Sequence, residues 1–501
     1  MLNEKRSQLI LLAGVVLYAA FYSLICYLKY ANFLYYDFDL AVHAQTIWNL
    51  GRGSLYSSIL GIDFLGNHAI PIFFFLAPLY ALLPHPMTIL AAQSCALAAA
   101  AIPLYYFARS ILGYRWALLT AALYLLYPGV GYTNLFEFHP TSLATFFLMA
   151  MLYFFQQRRF ALYAAMVLLA MFCQENVPLA VFMMGFYAVF QRRPWPWWIF
   201  SFVVPALYFS YAVFFLIPHF NDNTIQFIKI YRHLGPTYSA IIKTMVLHPL
   251  RVFSKILSPW NVGYLTEVMA PLLFVPLAGL GGLFLALPLF MQHLLSSRLA
   301  ETTTHYHYTA EMVPFIFVAF VWGVRGLFRF VPRLVKRRFS YFLGFSAILT
   351  SILLGPLPWI VINRDAYLKD EMDLKYERLL EMVPPDGAVV ASFRFLPHLA
   401  DRPSLYSYHH FSTGFHTLSS ARYRLPNDTS YALVDFGERM LQGSFYAPEG
   451  YRRVARLLLG PEWGVRDFYN MAILFEKNLK TDQKIIDVSR LPFRHAQSLS
   501  W

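Results

Sequence analysis

The chain has 501 residues, of which 58% are hydrophobic and 13% are charged, and its formal net charge is +13. Because a soluble globular protein has about a quarter of its residues charged, this composition excludes a wholly soluble chain. The deficit lies in residues 1–362, which hold 10 of the 27 acidic and 22 of the 40 basic residues. Membrane topology explains this basic excess better than nucleic-acid binding does, so no nucleic-acid partner is expected.

Residues 1–362 predict an α-helical polytopic membrane domain. A transmembrane helix needs about 20 apolar residues, and the sequence offers about eleven candidate spans. These spans cover residues 9–29, 87–108, 116–132, 141–157, 160–175, 176–191, 197–218, 267–281, 282–297, 311–327 and 340–362. The stretches 160–191 and 267–297 predict two tight helical hairpins. The proline-containing stretch from Ile70 to Pro84 predicts an interfacial or re-entrant helix.

Charge between the spans predicts the orientation in the membrane. Eleven spans place fourteen lysines and arginines on one side, at the N-terminus and in alternate turns. The positive-inside rule assigns that side to the cytoplasm. The N-terminus is then cytoplasmic, and the C-terminal domain lies outside the cell membrane.

Nearly all acidic residues of the membrane domain then fall on the outer side, where unpaired carboxylates are costly and often mark functional sites. The first outer loop, about residues 30–86, is the richest. Asp37 is expected to cap a helix along the membrane surface, with Asp39 and His43 on one face of it. These residues could supply a general base or a metal ligand, or they could merely solvate a surface helix. His68 could line the same cleft, or it could simply be a hydrogen-bonded polar residue at the membrane boundary.

Six later outer residues, in three stretches of the chain, are further candidates for substrate binding. Glu137 and His139 precede Pro140, which is expected to open a helix with His139 beside its cap; they could also join Asp37 and Asp39 as metal ligands. Glu175 lies at a hairpin tip. His305, His307 and Glu311 form an aromatic and histidine-rich approach to a span, with His307 and Glu311 expected on one helical face. Such a cluster could hold a sugar or a phosphate, or simply anchor at the interface.

The outer loop at about residues 219–266 is basic, against the positive-inside trend. Lys229, Arg232 and Arg251 could neutralise the phosphate of a lipid head group. Contact with ordinary anionic membrane lipids explains any one of them equally well. Membrane lipids are therefore expected partners in either case.

Residues 363–501 predict a small soluble α/β domain outside the membrane. A helix is expected over 365–383, strands over 388–392, 431–435 and near 471–476, a short helix over 395–400 and another around 451–459. The domain lacks a phosphate-binding loop, a nucleophile elbow and a metal-spaced Cys/His cluster. We interpret it as a cap or a partner-binding module.

Several short motifs, in order along the chain, resemble a prokaryotic family of polytopic membrane proteins that is catalogued as a domain of unknown function and grouped with GT-C glycosyltransferases. They are Tyr36-Asp37-Phe38-Asp39-Leu40, Gln45, Trp48-Asn49-Leu50, Asn67-His68, Ala77-Pro78-Leu79-Tyr80, Phe136-Glu137-Phe138-His139-Pro140, Gln174-Glu175-Asn176, His307-Tyr308, Leu396-Pro397-His398-Leu399 and Asp401-Arg402. The sequence Gln174-Glu175-Asn176 departs from the Lys-Glu-Asp form associated with relatives.

The resemblance implies a GT-C-like fold in the prokaryotic inner membrane. It also implies transfer of a sugar from a polyprenyl-phosphate donor to an unknown glycan, lipid or protein acceptor at the outer face. Asp39 or Asp37 would be the catalytic base. A divalent cation, Mg²⁺ or Mn²⁺, is compatible with the resemblance but not required by it. The alternatives are a transporter or flippase-like carrier, and a non-catalytic receptor or assembly factor. Transporters usually place ionisable residues near the bilayer midplane, whereas here they gather on one face.

Overall fold

The structure is a computed structural model that describes residues 3–221, 226–329, 332–417, 422–438 and 460–480. It is mostly helical. Its α-helices in chain order are α1 (Glu4–Ala31), α2 (Asp39–Leu50), α3 (Phe73–Leu82), α4 (Pro86–Ala99), α5 (Ala101–Leu112), α6 (Tyr114–Leu125), α7 (Pro128–Leu135), α8 (Pro140–Gln156), α9 (Phe160–Met171), α10 (Val177–Phe190), α11 (Trp195–Tyr211), α12 (Ile217–Phe220), α13 (Tyr238–Leu247), α14 (Pro249–Ile256), α15 (Pro259–Met269), α16 (Leu280–Leu285), α17 (Leu287–Leu295), α18 (Val313–Leu327), α19 (Arg333–Leu353), α20 (Leu357–Ile362), α21 (Glu371–Glu381) and α22 (Tyr408–Thr413).

Short strands and tighter helices complete the described elements. The strands are β1 (Tyr56–Ser57), β2 (Ile62–Asp63), β3 (Val389–Ala391), β4 (Leu405–Ser407), β5 (Tyr431–Asp435), β6 (Trp463–Tyr469) and β7 (Ala472–Lys477). The 3₁₀ turns are Phe64–Gly66, Gln226–Tyr231, Ala270–Leu272, Val275–Ala278, Leu299–Thr302, His307–Thr309, Arg364–Tyr367 and Phe393–Leu399, and a π-helical turn, Ala212–Leu216, joins α11 to α12.

Three helical stretches in the described residues are long and apolar enough to cross a membrane: Glu4–Ala31, Pro86–Leu112 and Trp195–Phe220. Shorter apolar helices include Pro140–Gln156, Phe160–Met171, Val177–Phe190 and Val313–Leu327. Residues 160–191 form two helices, α9 and α10, on either side of the turn 172–176, as predicted, and their packing as a tight hairpin stays a prediction. The number of membrane crossings stays a prediction.

The second hairpin was predicted as two continuous helices over 267–297, and this prediction is wrong. This stretch is broken into the end of α15, two 3₁₀ turns, α16 and α17. Leu273 and Phe274 adopt positive φ angles of 51° and 57° between the two turns. Prolines at positions 271, 276 and 288 lack the N–H that a continuing helix needs. The segment at 219–266, predicted as an outer loop, is largely helical, since it holds α13, α14 and most of α15, and its side of the membrane stays a prediction.

The chain divides into two compact units. Unit 1 comprises residues 1–26, 68–72 and 90–364, and unit 2 comprises residues 27–67, 73–89 and 365–501. The sequence analysis placed its boundary near residue 362, and it grouped the first outer loop with the membrane domain. By contacts, most of that loop belongs with the C-terminal residues, in unit 2.

Unit 1 is a bundle of apolar helices tied together at one end by polar contacts. Glu4, at the start of α1, forms an ion pair with Arg109 near the end of α5, with 2.7 Å between the carboxylate oxygen and the guanidinium nitrogen. One turn further along α1, the hydroxyl groups of Ser7 and Tyr105 are hydrogen-bonded. Both contacts join the first turns of α1 to α5.

Glycine permits the close approach of α16 and α18 within unit 1. A Cβ atom at Gly282 of α16 would lie 2.5 Å from the backbone nitrogen of Ala319 in α18. Gly279 and Gly323 meet opposing backbone at similarly short range. Small residues of this kind let helix backbones approach in membrane proteins.

Unit 2 contains a five-stranded mixed sheet in the order β4-β3-β5-β7-β6. Strand β3 pairs in parallel with β4 and β5, whereas β7 pairs antiparallel with β5 and β6. All three residues of β3 are buried, as is typical of a parallel strand covered on both faces. The strands predicted at 388–392, 431–435 and 471–476 are confirmed. The helix predicted around 451–459 lies outside the described residues.

Distant segments share the hydrophobic core of unit 2. Phe33, Ala41, Val42, Ile59 and Leu60 pack in one cluster with β3, β5 and β7. A pair of short strands, β1 and β2, forms an antiparallel hairpin within the early segment. The loop that carries the predicted aspartates is therefore part of a folded core.

Polar contacts fix the same early segment within unit 2. The side-chain amide of Gln45 donates to the carbonyl of Arg402 at 3.0 Å. Ser58 Oγ donates to the carbonyl of Leu405 and accepts from its N–H, at 2.8 and 2.9 Å. Tyr80 donates to Asp401 at 2.7 Å. The motif residues Gln45, Tyr80, Asp401 and Arg402 are thus paired with one another in three dimensions.

Candidate active site

Within unit 1, the predicted polar residues lie in the turns that connect apolar helices. His68 begins the short segment 68–72, Glu175 and Asn176 lie in the turn between α9 and α10, and Glu311 lies two residues before α18. The N–H of Ile72 donates to the carbonyl of Phe172 at 3.0 Å, which holds the first segment against the second turn. The local backbone therefore brings residues far apart in sequence to one region.

His68 and Glu175 form the first pair of this region. Nδ1 of His68 lies 2.7 Å from Oε1 of Glu175. The other carboxylate oxygen accepts the N–H of Ala69 at 3.2 Å. Both carboxylate oxygens are consequently engaged, which fixes the orientation of the glutamate at the hairpin tip.

Asn176 and Glu311 form the second pair. The side-chain amide of Asn176 donates to Oε2 of Glu311 at 2.8 Å, and both residues are buried. An aspartate at position 176 would set a second carboxylate against Glu311. The asparagine here instead supplies a donor, which gives a physical reason for the departure from the Lys-Glu-Asp form. Thr145 Oγ1 donates to the carbonyl of Ala310 and fixes the segment that carries Glu311.

The predicted helical face shared by His307 and Glu311 is wrong. His307 lies in the 3₁₀ turn His307–Thr309, and α18 begins only at Val313. Proline at position 314 fits the first turn of a helix, where its missing N–H has no intrahelical partner. The two residues are therefore close in sequence but do not share an α-helix.

His307 is instead stacked on His139. The centroids of the two imidazole rings are 3.3 Å apart and the rings are inclined by 10°. Phe136 lies beside both, with ring centroids 6.1 Å from His139 and 5.7 Å from His307. His139 is the N-cap residue of α8, and Pro140 opens that helix, as predicted.

Gln93 organises the segment that carries Glu137 and His139. Its amide nitrogen donates to the carbonyls of Asn134 and Glu137 at 3.0 and 3.1 Å. Its amide oxygen accepts the N–H of His139 at 2.9 Å. Glu137 is 2% exposed. The sequence analysis missed Gln93, because a single glutamine within an apolar helix gives no motif.

The remaining candidates of unit 1 are more exposed. Nδ1 of His305 is 2.7 Å from Thr303 Oγ1, and its ring packs against Tyr132 at 4.5 Å. Lys229, Arg232 and Arg251 are all exposed. Arg251 donates to the carbonyl of His233. Phosphate binding by these three cations stays a prediction.

Asp37, Asp39 and His43 belong to unit 2. Helix α2 begins at Asp39, and its N-cap residue is Phe38. Asp37 therefore lies one position before the cap rather than at it as predicted, whereas the helix itself is confirmed. Asp37 Oδ1 instead accepts the N–H of Phe38 at 2.8 Å.

The two aspartates influence each other. Burial, together with the nearby Asp39 carboxylate, raises the pKa of Asp37 to about 7. His43 lies one turn beyond Asp39 on α2, is buried, and meets the ring of Phe73 edge-on at 5.3 Å between centroids. A carboxylate whose pKa lies near neutrality suits general-base chemistry.

In the described part of the chain, no three His, Cys, Asp or Glu side chains group in a way that could hold a metal ion. The metal role considered for Asp37, Asp39, Glu137 and His139 accordingly stays a prediction.

Residues 29–445 match the family model described as "Predicted membrane protein (DUF2079)". None of the curated proteins matches the chain.

Solved structures give weaker likenesses. ArnT from Cupriavidus metallidurans, bound to undecaprenyl phosphate, is 11% identical, with a TM-score of 0.49, over 93% of this chain and 98% of that one. The oligosaccharyltransferase AglB from Archaeoglobus fulgidus, with an inhibitory peptide and a dolichol phosphate, is 13% identical, with a TM-score of 0.42, over 91% and 72%. An Archaeoglobus fulgidus oligosaccharyltransferase with zinc and sulfate is 13% identical, with a TM-score of 0.39, over 86% and 67%. These TM-scores are too low to establish a shared fold.

Proposed function

Since the chain belongs to the family of predicted membrane proteins DUF2079, we propose that it is an integral membrane glycosyltransferase. It would take a sugar from a polyprenyl-phosphate-linked donor and transfer it to an acceptor hydroxyl at the outer face of the membrane. The observation that carries the proposal is the pair Asp37 and Asp39, which follows the span-length helix α1 and stands at the start of α2.

The paired carboxylates suit the chemistry of sugar transfer. The acceptor hydroxyl oxygen attacks the anomeric carbon and forms the new glycosidic bond. The bond between that carbon and the phosphate oxygen breaks, and its electron pair leaves on the lipid phosphate. The hydroxyl proton passes to Asp39, or to Asp37, as general base.

The sequence resemblance implies that the donor is a polyprenyl-phosphate-linked sugar. Two of the solved structures compared above contain polyprenyl phosphates, but their TM-scores are too low to carry the assignment. Unit 1 offers chemistry of its own for such a donor. His307 lies in a buried turn beside the aromatic rings of Phe136 and Tyr308, a setting that suits a sugar face or a phosphate.

The direct test is sugar transfer by the purified full-length protein in vesicles. A panel of polyprenyl-phosphate sugars is supplied with membrane extracts as the source of acceptors, and released polyprenyl phosphate is measured. We expect release by the natural protein and a loss of about 10²–10⁴-fold in Asp39→Asn, Asp37→Asn or both. Asp63→Asn removes another carboxylate of unit 2 and serves as the matched control.

Two outcomes would overturn this function. The first is full transfer activity in both Asn variants, which would remove the proposed base. The second is movement of the lipid across the bilayer without release of polyprenyl phosphate, which would favour a carrier.

A further inference from the structure

A second region of unit 1 forms a cavity and contains none of the candidate residues discussed above. The cavity, of about 750 Å³, lies where α5, α8, α10 and α18 approach their C-terminal ends. Aromatic side chains supply much of its wall, including Phe107, Phe155, Phe186 and Trp322. This volume is in the range of pockets that bind small molecules.

Two cations and two amides stand at this cavity. Arg193, Arg325, Gln156 and Gln191 line it, and its described lining includes no acidic residue. All four follow or end helices whose turns the charge pattern assigns to the cytoplasm. The structure thus gathers residues from three separate turns at one end of unit 1.

The guanidinium group of Arg193 is fixed by two contacts, but not all of its N–H groups have a hydrogen-bond partner among the described residues. Its Nη2 donates to the carbonyl of Phe155 at 2.8 Å, and its guanidinium lies 4.7 Å from the centroid of the Phe155 ring. Its Nε is buried and has no hydrogen-bond partner among the described residues. Buried N–H groups are nearly always paired, so this atom indicates a ligand.

Gln156 shows the complementary feature. Its amide nitrogen donates to Ser110 Oγ at 2.7 Å. Its amide oxygen is buried and, within the described residues, accepts no hydrogen bond. The cavity therefore offers one donor to an anion and one acceptor to a hydroxyl group.

Local charge also favours an anion. Burial, and then the positive charge of Arg158, lower the pKa of Arg193. A bound phosphate would offset both effects, because it returns a charged acceptor to the guanidinium.

We propose that this cavity binds an anionic phospholipid, with the phosphate at Arg193 and Arg325, the head-group hydroxyl at Gln156 and one acyl chain along the aromatic wall. A free phosphate would leave that wall uncovered. Leu280 and Phe190, which line the cavity, are 68% and 82% exposed. On a membrane-embedded helix, exposed apolar side chains face lipid, so a phospholipid enters sideways.

The test uses the full-length protein in bilayer discs of phosphatidylcholine that contain a small fraction of phosphatidylglycerol. Native mass spectrometry after release into detergent counts retained lipids. We expect one retained phosphatidylglycerol, and at least about tenfold less retention in Arg193→Gln/Arg325→Gln. Arg115→Gln/Arg338→Gln removes two exposed cations outside the cavity lining and should retain the lipid as the natural protein does.

Two further variants test the head-group contact and the acyl-chain contact separately. They also show whether a folding defect explains the loss of retention. Arg325→Gln alone changes an exposed side chain and should lower retention while the thermal midpoint stays unchanged. Leu280→Trp places a larger side chain in the cavity and should lower phosphatidylglycerol retention while both arginines stay intact. The proposal is overturned if the double arginine variant retains as much phosphatidylglycerol as the control, or if inorganic phosphate displaces the lipid at equal concentration.

Discussion

Nδ1 of His68 lies 2.7 Å from Oε1 of Glu175, and the second oxygen of the same carboxylate accepts the N–H of Ala69. One glutamate therefore binds both the side chain and the following backbone of a segment 107 positions away in the sequence. The contact joins the segment 68–72 to the turn between α9 and α10, inside unit 1.

We expect Glu175→Ala to lower the free energy of unfolding by about 1–3 kcal/mol, because it leaves two buried or half-buried donors without their acceptor. Glu175→Gln keeps one acceptor oxygen and should lower it less. The measurement is thermal unfolding of the protein in detergent. His305→Ala, at an exposed histidine, is the control, and an unchanged midpoint in Glu175→Ala would contradict the prediction.

The contact between α16 and α18 gives a second prediction. Gly282→Ala places a Cβ atom 2.5 Å from the backbone of Ala319, and overpacking of this kind costs about 1–3 kcal/mol. Gly344→Ala is a matched change within α19, where a Cβ atom meets nothing within 4 Å. It should be neutral or stabilise by up to about 1 kcal/mol. Thermal midpoints that move together in both variants would refute the packing argument.

Histidine burial in unit 2 predicts a dependence of stability on pH. Burial, followed by the charges of neighbouring His409 and His416, lowers the pKa of His410 to about 3. Between about pH 3 and the usual histidine pKa of about 6.5, the unfolded state binds more protons than the folded one. Stability contributed by neutral His410 is therefore lost as the pH falls from 6.5, by up to about 1.4 kcal/mol per pH unit.

The comparison must be made between variants, because other groups act in the opposite direction. Burial raises the pKa of Glu438 to about 8, and its contribution declines as the pH rises from about 4.5. His410→Gln removes the titrating ring and can keep a hydrogen bond to Thr417, the present partner of Nε2. The difference in stability between the natural protein and this variant, followed by hydrogen exchange in residues 388–417, should shrink as the pH falls from 6.5 to 4.5. A constant difference would show that His410 does not titrate.

Variants of the stacked pair His139 and His307 can distinguish a role in ring packing from a role in binding the donor. If His307 binds donor phosphate, His307→Phe keeps a stacked ring yet removes the polar nitrogens, and transfer should fall by about 10²-fold. His139→Phe should keep most of the transfer activity, because in this scheme His139 contributes only a ring that stacks on His307. Equal losses in both variants, measured by release of polyprenyl phosphate, would contradict this division of roles.

Much of the secondary structure was predictable because the hydrophobic pattern is local. The first helix, the helices α9 and α10, and the strands β3, β5 and β7 all follow from runs of apolar residues. Strand β4 has only three residues, and in β6 a bulge between Val465 and Asp467 interrupts the alternation of polar and apolar positions. Neither gives a clear local signal, and both were missed.

The residues of the site were predictable as types, but their pairings were not. Glu175 and His68 each stood out as polar groups among apolar helices, yet their contact depends on packing across the bundle. The same is true of Asn176 with Glu311 and of His139 with His307. The break at 267–297 was missed because that stretch is as rich in apolar residues as two spans would be, whereas prolines and left-handed residues decide the path of its backbone.

The core of unit 2 has a consequence for biosynthesis. Gln45 donates to a carbonyl 357 positions later, and the apolar residues around Asp37 and Asp39 pack on the much later strands β3, β5 and β7. Domains generally fold as units during synthesis, so this segment stays without its native partners until those strands have left the ribosome. The two aspartates reach their final surroundings only after that point, and ribosomal stalling before β5 would leave a nascent product that cannot assemble them.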